Sequence, residues 1–101
     1  MEIVTSKNGV PIRFPEERWI HITEEHSEMA GYYFEVLEAI EYPDEIYKGK
    51  SGELLAIKAI GPEKFIAAFY KEVSNEDGFI ITSFLTKKIN QIKRRERIWP
   101  K

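Results

Sequence analysis

The chain has 101 residues, 43% hydrophobic and 13% aromatic, which suffices for one buried core and is too short for two, so residues 1–101 are read as a single domain. The absence of cysteine excludes a disulfide scaffold, a thiolate zinc site and a cysteine nucleophile. No apolar run reaches the roughly 18 residues of a membrane span, and Met1 to Lys7 lack the charged start and apolar stretch of a secretion signal, so a cytoplasmic location is expected. Net charge is −2, but it is unevenly spread: residues 87–101 hold seven basic side chains and one acid, Glu96, against eight basic and sixteen acidic elsewhere. A basic tail on an acidic body suits a phosphate-bearing partner or an acidic protein.

In chain order, Ile3-Val4-Thr5 and Val10-Pro11-Ile12-Arg13-Phe14 flank Lys7-Asn8-Gly9. Asn-Gly between β-prone runs predicts an N-terminal hairpin. Phe14-Pro15-Glu16-Glu17 predicts a helix start, with Pro15 in the first turn and both glutamates at the positive end of the dipole, and the helix is expected to run through Glu25. Ser27 is expected to cap a second helix near 28–41. There Tyr33, Val36, Leu37 and Ile40 fall at i, i+3, i+4 and i+7, with Glu35, Glu38 and Glu41 turned outward. Tyr42-Pro43-Asp44 ends it.

The period then changes. Residues 45–47, 53–60, 65–73 and 79–85 predict strands, separated by turn chemistry at Gly49-Lys50-Ser51-Gly52, Gly61-Pro62-Glu63 and Ser74-Asn75-Glu76-Asp77-Gly78. Short connections make them antiparallel neighbours. The expected architecture is α+β: two N-terminal helices packed on a four-stranded antiparallel meander sheet, with the N-terminal hairpin and a short basic C-terminal helix beside it.

His21 and His26 are the only histidines, and so the only side chains that titrate near neutral pH unless perturbed. Five residues on a helix turn through about 140°, so the two make a poor metal pair, and neither a metal nor a cofactor is expected. Trp19, Ile22 and His26 share the apolar stripe, which makes His26 a buried or helix-ending histidine. Arg18, His21 and Glu25 form a polar ladder on the other stripe. Arg18 one turn from His21 favours the neutral imidazole, the form that serves as a general base; the alternative is an exposed histidine in an ordinary charged ladder.

Four segments follow one another in an order that carries a resemblance: Arg18-Trp19-Ile20-His21-Ile22, His26-Ser27-Glu28-Met29, Tyr42-Pro43-Asp44-Glu45-Ile46, and Gly78 through Thr86. Over about residues 10–92 the chain resembles the phage and bacterial barnase–EndoU–colicin–RelE-like nuclease group, small domains of toxins and mobile elements. Where that group tends to have His-Pro-Glu this chain has His26-Ser27-Glu28, and where it tends to have Thr-Ala-Tyr this chain has Thr82-Ser83-Phe84, without the tyrosine hydroxyl.

The resemblance implies two helices before a four-stranded antiparallel sheet, and metal-independent RNA cleavage by attack of the 2′-hydroxyl on phosphorus. It assigns His21 as base or acid, Arg18 as phosphate clamp, and Thr82 and Ser83 as hydroxyl donors. His26 becomes a second acid–base group if the helix breaks at Ser27 and turns it toward the sheet. Lys58, Lys71, Lys87, Lys88, Arg94 and Arg95 are the expected RNA-binding cations. The implied partners are RNA and an acidic antitoxin protein, and the rival reading is an inactive relative that binds RNA or protein.

Overall fold

The computed structural model describes residues 1–101. The N-terminal hairpin forms as expected from β1 (Glu2–Thr5) and β2 (Pro11–Phe14). Its turn needs the left-handed backbone of Gly9, at φ +82°. Glu72 ties the turn to the main sheet by accepting from Ser6 Oγ and Asn8 Nδ2.

Helix α1 (Glu16–Glu25) carries its two first-turn glutamates where the dipole favours them. Pro15 precedes the helix in extended conformation, at ψ 148°, rather than lying within its first turn. Past α1 the expected single helix over 28–41 divides. A 3₁₀ helix spans Ser27–Gly31, and α2 spans Tyr33–Glu41. Ser27 makes no capping hydrogen bond, and His26 occupies the residue before the 3₁₀ helix. Burial of Met29 turns the short segment inward, and Gly31 is a poor residue on which to continue a helix.

Strands β3 (Glu45–Lys48), β4 (Leu54–Gly61), β5 (Lys64–Glu72) and β6 (Gly78–Thr86) form the antiparallel meander close to the expected bounds. The sheet is larger than that, and mixed. Seven strands run in the order β1-β2-β6-β5-β4-β3-β7. β2 joins β6 in parallel through Ile12↔Gly78 and Arg13↔Phe79, where Arg13 grips Asp77 at 2.8 and 3.2 Å. That guanidinium holds the Asp77 carboxyl below its ordinary value. The basic tail forms only a four-residue helix, α3 (Ile89–Ile92), and then β7 (Arg97–Trp99), which pairs with β3. No helix is long and apolar enough to cross a membrane.

The larger core lies between α1, α2 and one sheet face, with Ile12, Phe14, Ile22, Val36, Ile40, Ile66 and Tyr70 at its centre. The sheet curls far enough around the helices that Lys7, from the β1–β2 turn, rests 4.7 Å over the ring of Trp99 in the opposite edge strand. A smaller cluster covers the other face: Tyr47, Leu55, Ile57 and Ala67 under Ile92 of α3.

Tyr70 is fully buried in the larger core, and its hydroxyl has no hydrogen-bond partner. Burial, with the nearby Glu72 carboxylate second, pushes the phenol well above its ordinary value of 10.0. The folded state therefore keeps this proton longer than the unfolded chain does. That contribution is complete below the ordinary phenol range and is lost as pH rises above it. Tyr70→Phe removes the unsatisfied group, so urea unfolding at neutral pH is expected to show a gain of about 1 kcal/mol. The variant should also lose less stability than wild type between neutral pH and about pH 11. Some alkaline loss remains, because burial raises Tyr33 and Tyr47 as well. A variant less stable than wild type at both pH values would contradict the account.

Candidate nucleic-acid interface

Arg18 and His21 do share a cleft. It has a volume of about 290 Å³ and is lined by Pro15, Glu17, Arg18 and His21, with no sheet residue among them. His21 Nε2 lies 2.7 Å from Glu25 Oε1, and both side chains are more than half exposed. One ring nitrogen is thus engaged by a neighbour one helical turn away, as in an ordinary i,i+4 surface pair.

Thr82 and Ser83 do not complete that cleft. Across β5, Thr82 pairs with Phe69 and Ser83 with Ala68, so the two hydroxyls point to opposite faces of the sheet. Ser83 is fully buried on the helix face and donates to the Ala67 carbonyl at 2.9 Å. It offers no hydroxyl to a phosphate. No hydrogen bond or ion pair joins Arg18 or His21 to Thr82 or Ser83, and the expected four-residue constellation is not assembled.

A different arrangement occupies the face of the sheet away from α1 and α2. β2 pairs only with Gly78 and Phe79 of β6, so the rest of β6 has no strand neighbour on that side. Both α1 and the 3₁₀ helix contact β6. α1 stops at Glu25, and the non-helical backbone of His26 (φ −131°, ψ 77°) sets its ring 5.9 Å from that of Phe84. Phe84 lies 6.2 Å from Phe69, and the Arg95 guanidinium sits 5.8 Å from the Phe69 ring. His26, Phe84, Phe69 and Arg95 form one row of neighbouring π groups along the sheet, with Phe69 and Phe84 half-buried against the smaller cluster. Beside them lies a cleft of about 230 Å³, to which Thr86, Lys88 and Gln91 also contribute. Glu28 Oε2 stands 3.7 Å from His26 Nδ1, within ion-pair range once the imidazole is protonated.

The expected RNA-binding cations divide. Lys58 faces the helices, where its Nζ donates to the Tyr42 carbonyl at 2.8 Å and lies 3.7 Å from Glu38. It satisfies the C-terminal end of α2 and is occupied there. Lys88 and Arg95 line the ring-bearing cleft, and Arg94 lines a neighbouring hollow. Lys71 and Lys87 are exposed. Lys71 pairs with Phe79 at the far end of β5.

Phe69, Phe84 and Gln91 are not among the expected site residues. Their signal is the alternation Phe65-Ala67-Phe69, which makes β5 apolar on both faces rather than on the helix side alone. No group of three or more histidines and carboxylates is placed to hold a metal ion. In comparisons with protein-family models, curated proteins and solved structures, nothing matches this chain.

Proposed function

We propose that the protein is a metal-independent ribonuclease-type domain that holds single-stranded RNA on the ring-bearing sheet face and cleaves it with His26. The observation that carries this reading is the row of His26, Phe84, Phe69 and Arg95. Half-buried aromatic rings lining a cleft on a sheet face, flanked by cations, suit unpaired bases with their phosphates alongside. The row ends in an imidazole, and the resemblance to the small nuclease group supplies the reaction.

The 2′ oxygen bonds to phosphorus and releases its proton to water, while the bond from phosphorus to the 5′ oxygen breaks. The His26 imidazolium delivers a proton to that departing oxygen. Lys88 and Arg95 stabilise the charge that builds on the phosphoryl oxygens. His21, satisfied by Glu25 on the outer side of α1, takes no part. An acidic antitoxin segment is the partner expected to cover so basic a surface.

The test is cleavage of single-stranded RNA in excess EDTA. Wild type is expected to leave 2′,3′-cyclic phosphate ends. His26→Ala should lose about 100-fold or more in rate, and His21→Ala should stay within about threefold. Equal rates for wild type and His26→Ala would overturn the assignment. A second reading, binding without turnover, is favoured by Phe84 standing where the nuclease group tends to have a tyrosine. It predicts RNA retention that weakens steeply with salt and no products from wild type.

A further inference from the structure

A second hollow adjoins the ring-lined cleft, with a volume of about 500 Å³ and no hydrophobic residue in its lining. Lys48, Lys50, Arg94 and Arg95 supply its charge, and Glu96 is its only acid. None of those four cations forms an ion pair. Arg95 alone has a further carboxylate nearby, that of Glu53, whose pKa its charge helps to lower. The hollow therefore keeps a net positive charge for a ligand. The walls are built by the fold. β7 pairs with β3, and the Lys48 amide donates to the Glu96 carbonyl at 2.8 Å, holding residues 48–50 against residues 94–96.

Arg95 belongs to both hollows. It lines the ring-bearing cleft and this one, with its guanidinium against Phe69. The two surfaces therefore join at a residue suited to stacking and to phosphate alike. One surface offers aromatic rings and the other a net positive charge. That pairing of chemistries matches the two sides of an unpaired strand, whose bases and phosphates point apart. A duplex keeps its bases stacked on one another and would leave the rings without partners.

We infer that the Lys48–Lys50–Arg94–Arg95 trough carries the phosphate backbone of a single-stranded RNA whose neighbouring bases lie on Phe84 and Phe69. The site then takes an extended strand, and affinity grows with length until the trough is filled. This rests on the RNA-binding reading above, and the experiment separates the two.

The probes are fluorescein-labelled 2′-O-methyl oligouridylates, a trinucleotide and an octanucleotide, which lack the attacking hydroxyl. Binding anisotropy is measured over a salt series for wild type, for Lys50→Ala/Arg94→Ala and for Phe84→Ala. Both trough residues substituted are exposed, and circular dichroism melting checks that the variants fold. Wild type is expected to prefer the octanucleotide by about tenfold. The trough double substitution should abolish most of that preference. It should also reduce the salt slope for the octanucleotide by about 1.4, at about 0.7 for each single-strand phosphate no longer neutralised. Phe84→Ala should weaken both lengths while keeping their ratio. A double variant that retains the full length preference and the wild-type salt slope overturns the trough and leaves the RNA reading standing. Absence of binding to either probe by wild type at about 50 mM salt overturns both.

Discussion

Gly78→Ala is expected to destabilise the protein by about 3 kcal/mol, the upper end of what overpacking costs, and to lower its melting temperature by roughly 15 °C. Gly78 is buried at the start of β6, where it faces Glu72 of β5 on one side and Ile12 of β2 on the other. A Cβ there would stand 2.5 Å from Ile12 Cδ1 and 2.5 Å from the Lys71 carbonyl oxygen. The isoleucine tip has some freedom to turn. The carbonyl belongs to the β5 backbone beside the β5–β6 ladder and cannot withdraw without disturbing it. The same position begins the short parallel pairing, Ile12↔Gly78 and Arg13↔Phe79, by which the N-terminal hairpin enters the sheet of the meander. Gly31→Ala is the matched control: its added carbon would meet nothing within 4 Å, and the melting temperature should hold or rise slightly. A loss of under about 3 °C for Gly78→Ala would show that the junction adapts.

The junction at Gly78 also marks where sequence reading reaches its limit in this fold. The hairpin and the meander strands are legible because local turn chemistry punctuates them. Gly9 and Gly52 both take left-handed backbone, at φ +82° and +90°, in turns that the residue types already announce. The parallel pairing of β2 with β6 has no local signal, since its partners are 66 residues apart at Ile12↔Gly78. β7 is likewise silent: Arg97-Ile98-Trp99 is too short to show a period, and its charge makes it look like a solvated tail.

Much the same holds for the site. Helical spacing correctly puts Arg18, His21 and Glu25 on one stripe. Strand spacing separates Thr82 from Ser83, because adjacent strand residues face opposite ways, a rule that needs only their positions in the chain. The stop of α1 at Glu25 falls where the sequence places it, but the meeting of His26 with Phe84 has no such local rule behind it. Nor has the pairing of β7 with β3, and it is this pairing that gathers Lys48 and Lys50 with Arg94 and Arg95. Both depend on contacts distant in the chain.

Phe14→Ala is expected to cost about 4 kcal/mol, lowering the melting temperature by roughly 20 °C. Phe14 is fully buried. Its ring stacks on Tyr33 at 5.2 Å and 6°, and meets Trp19 edge-on at 5.8 Å and 78°. Trp19 and Tyr33 also meet edge-on, at 5.3 Å. One ring therefore joins β2, α1 and α2, and truncating it opens a cavity that three separate elements would have to move to fill. Phe34→Ala supplies the contrast. Phe34 touches Tyr33 edge-on at 5.3 Å but is 72% exposed, so its loss should stay within about 0.5 kcal/mol. The difference between the two variants measures how firmly α1 is anchored, and this bears on the proposed chemistry because His26 is the residue at which α1 ends. If the cluster holds that corner in place, RNA cleavage by Phe14→Ala should fall even where circular dichroism shows the variant still folded. Full wild-type cleavage by a folded Phe14→Ala would mean that the corner is held by the burial of Ile22 and Met29 alone.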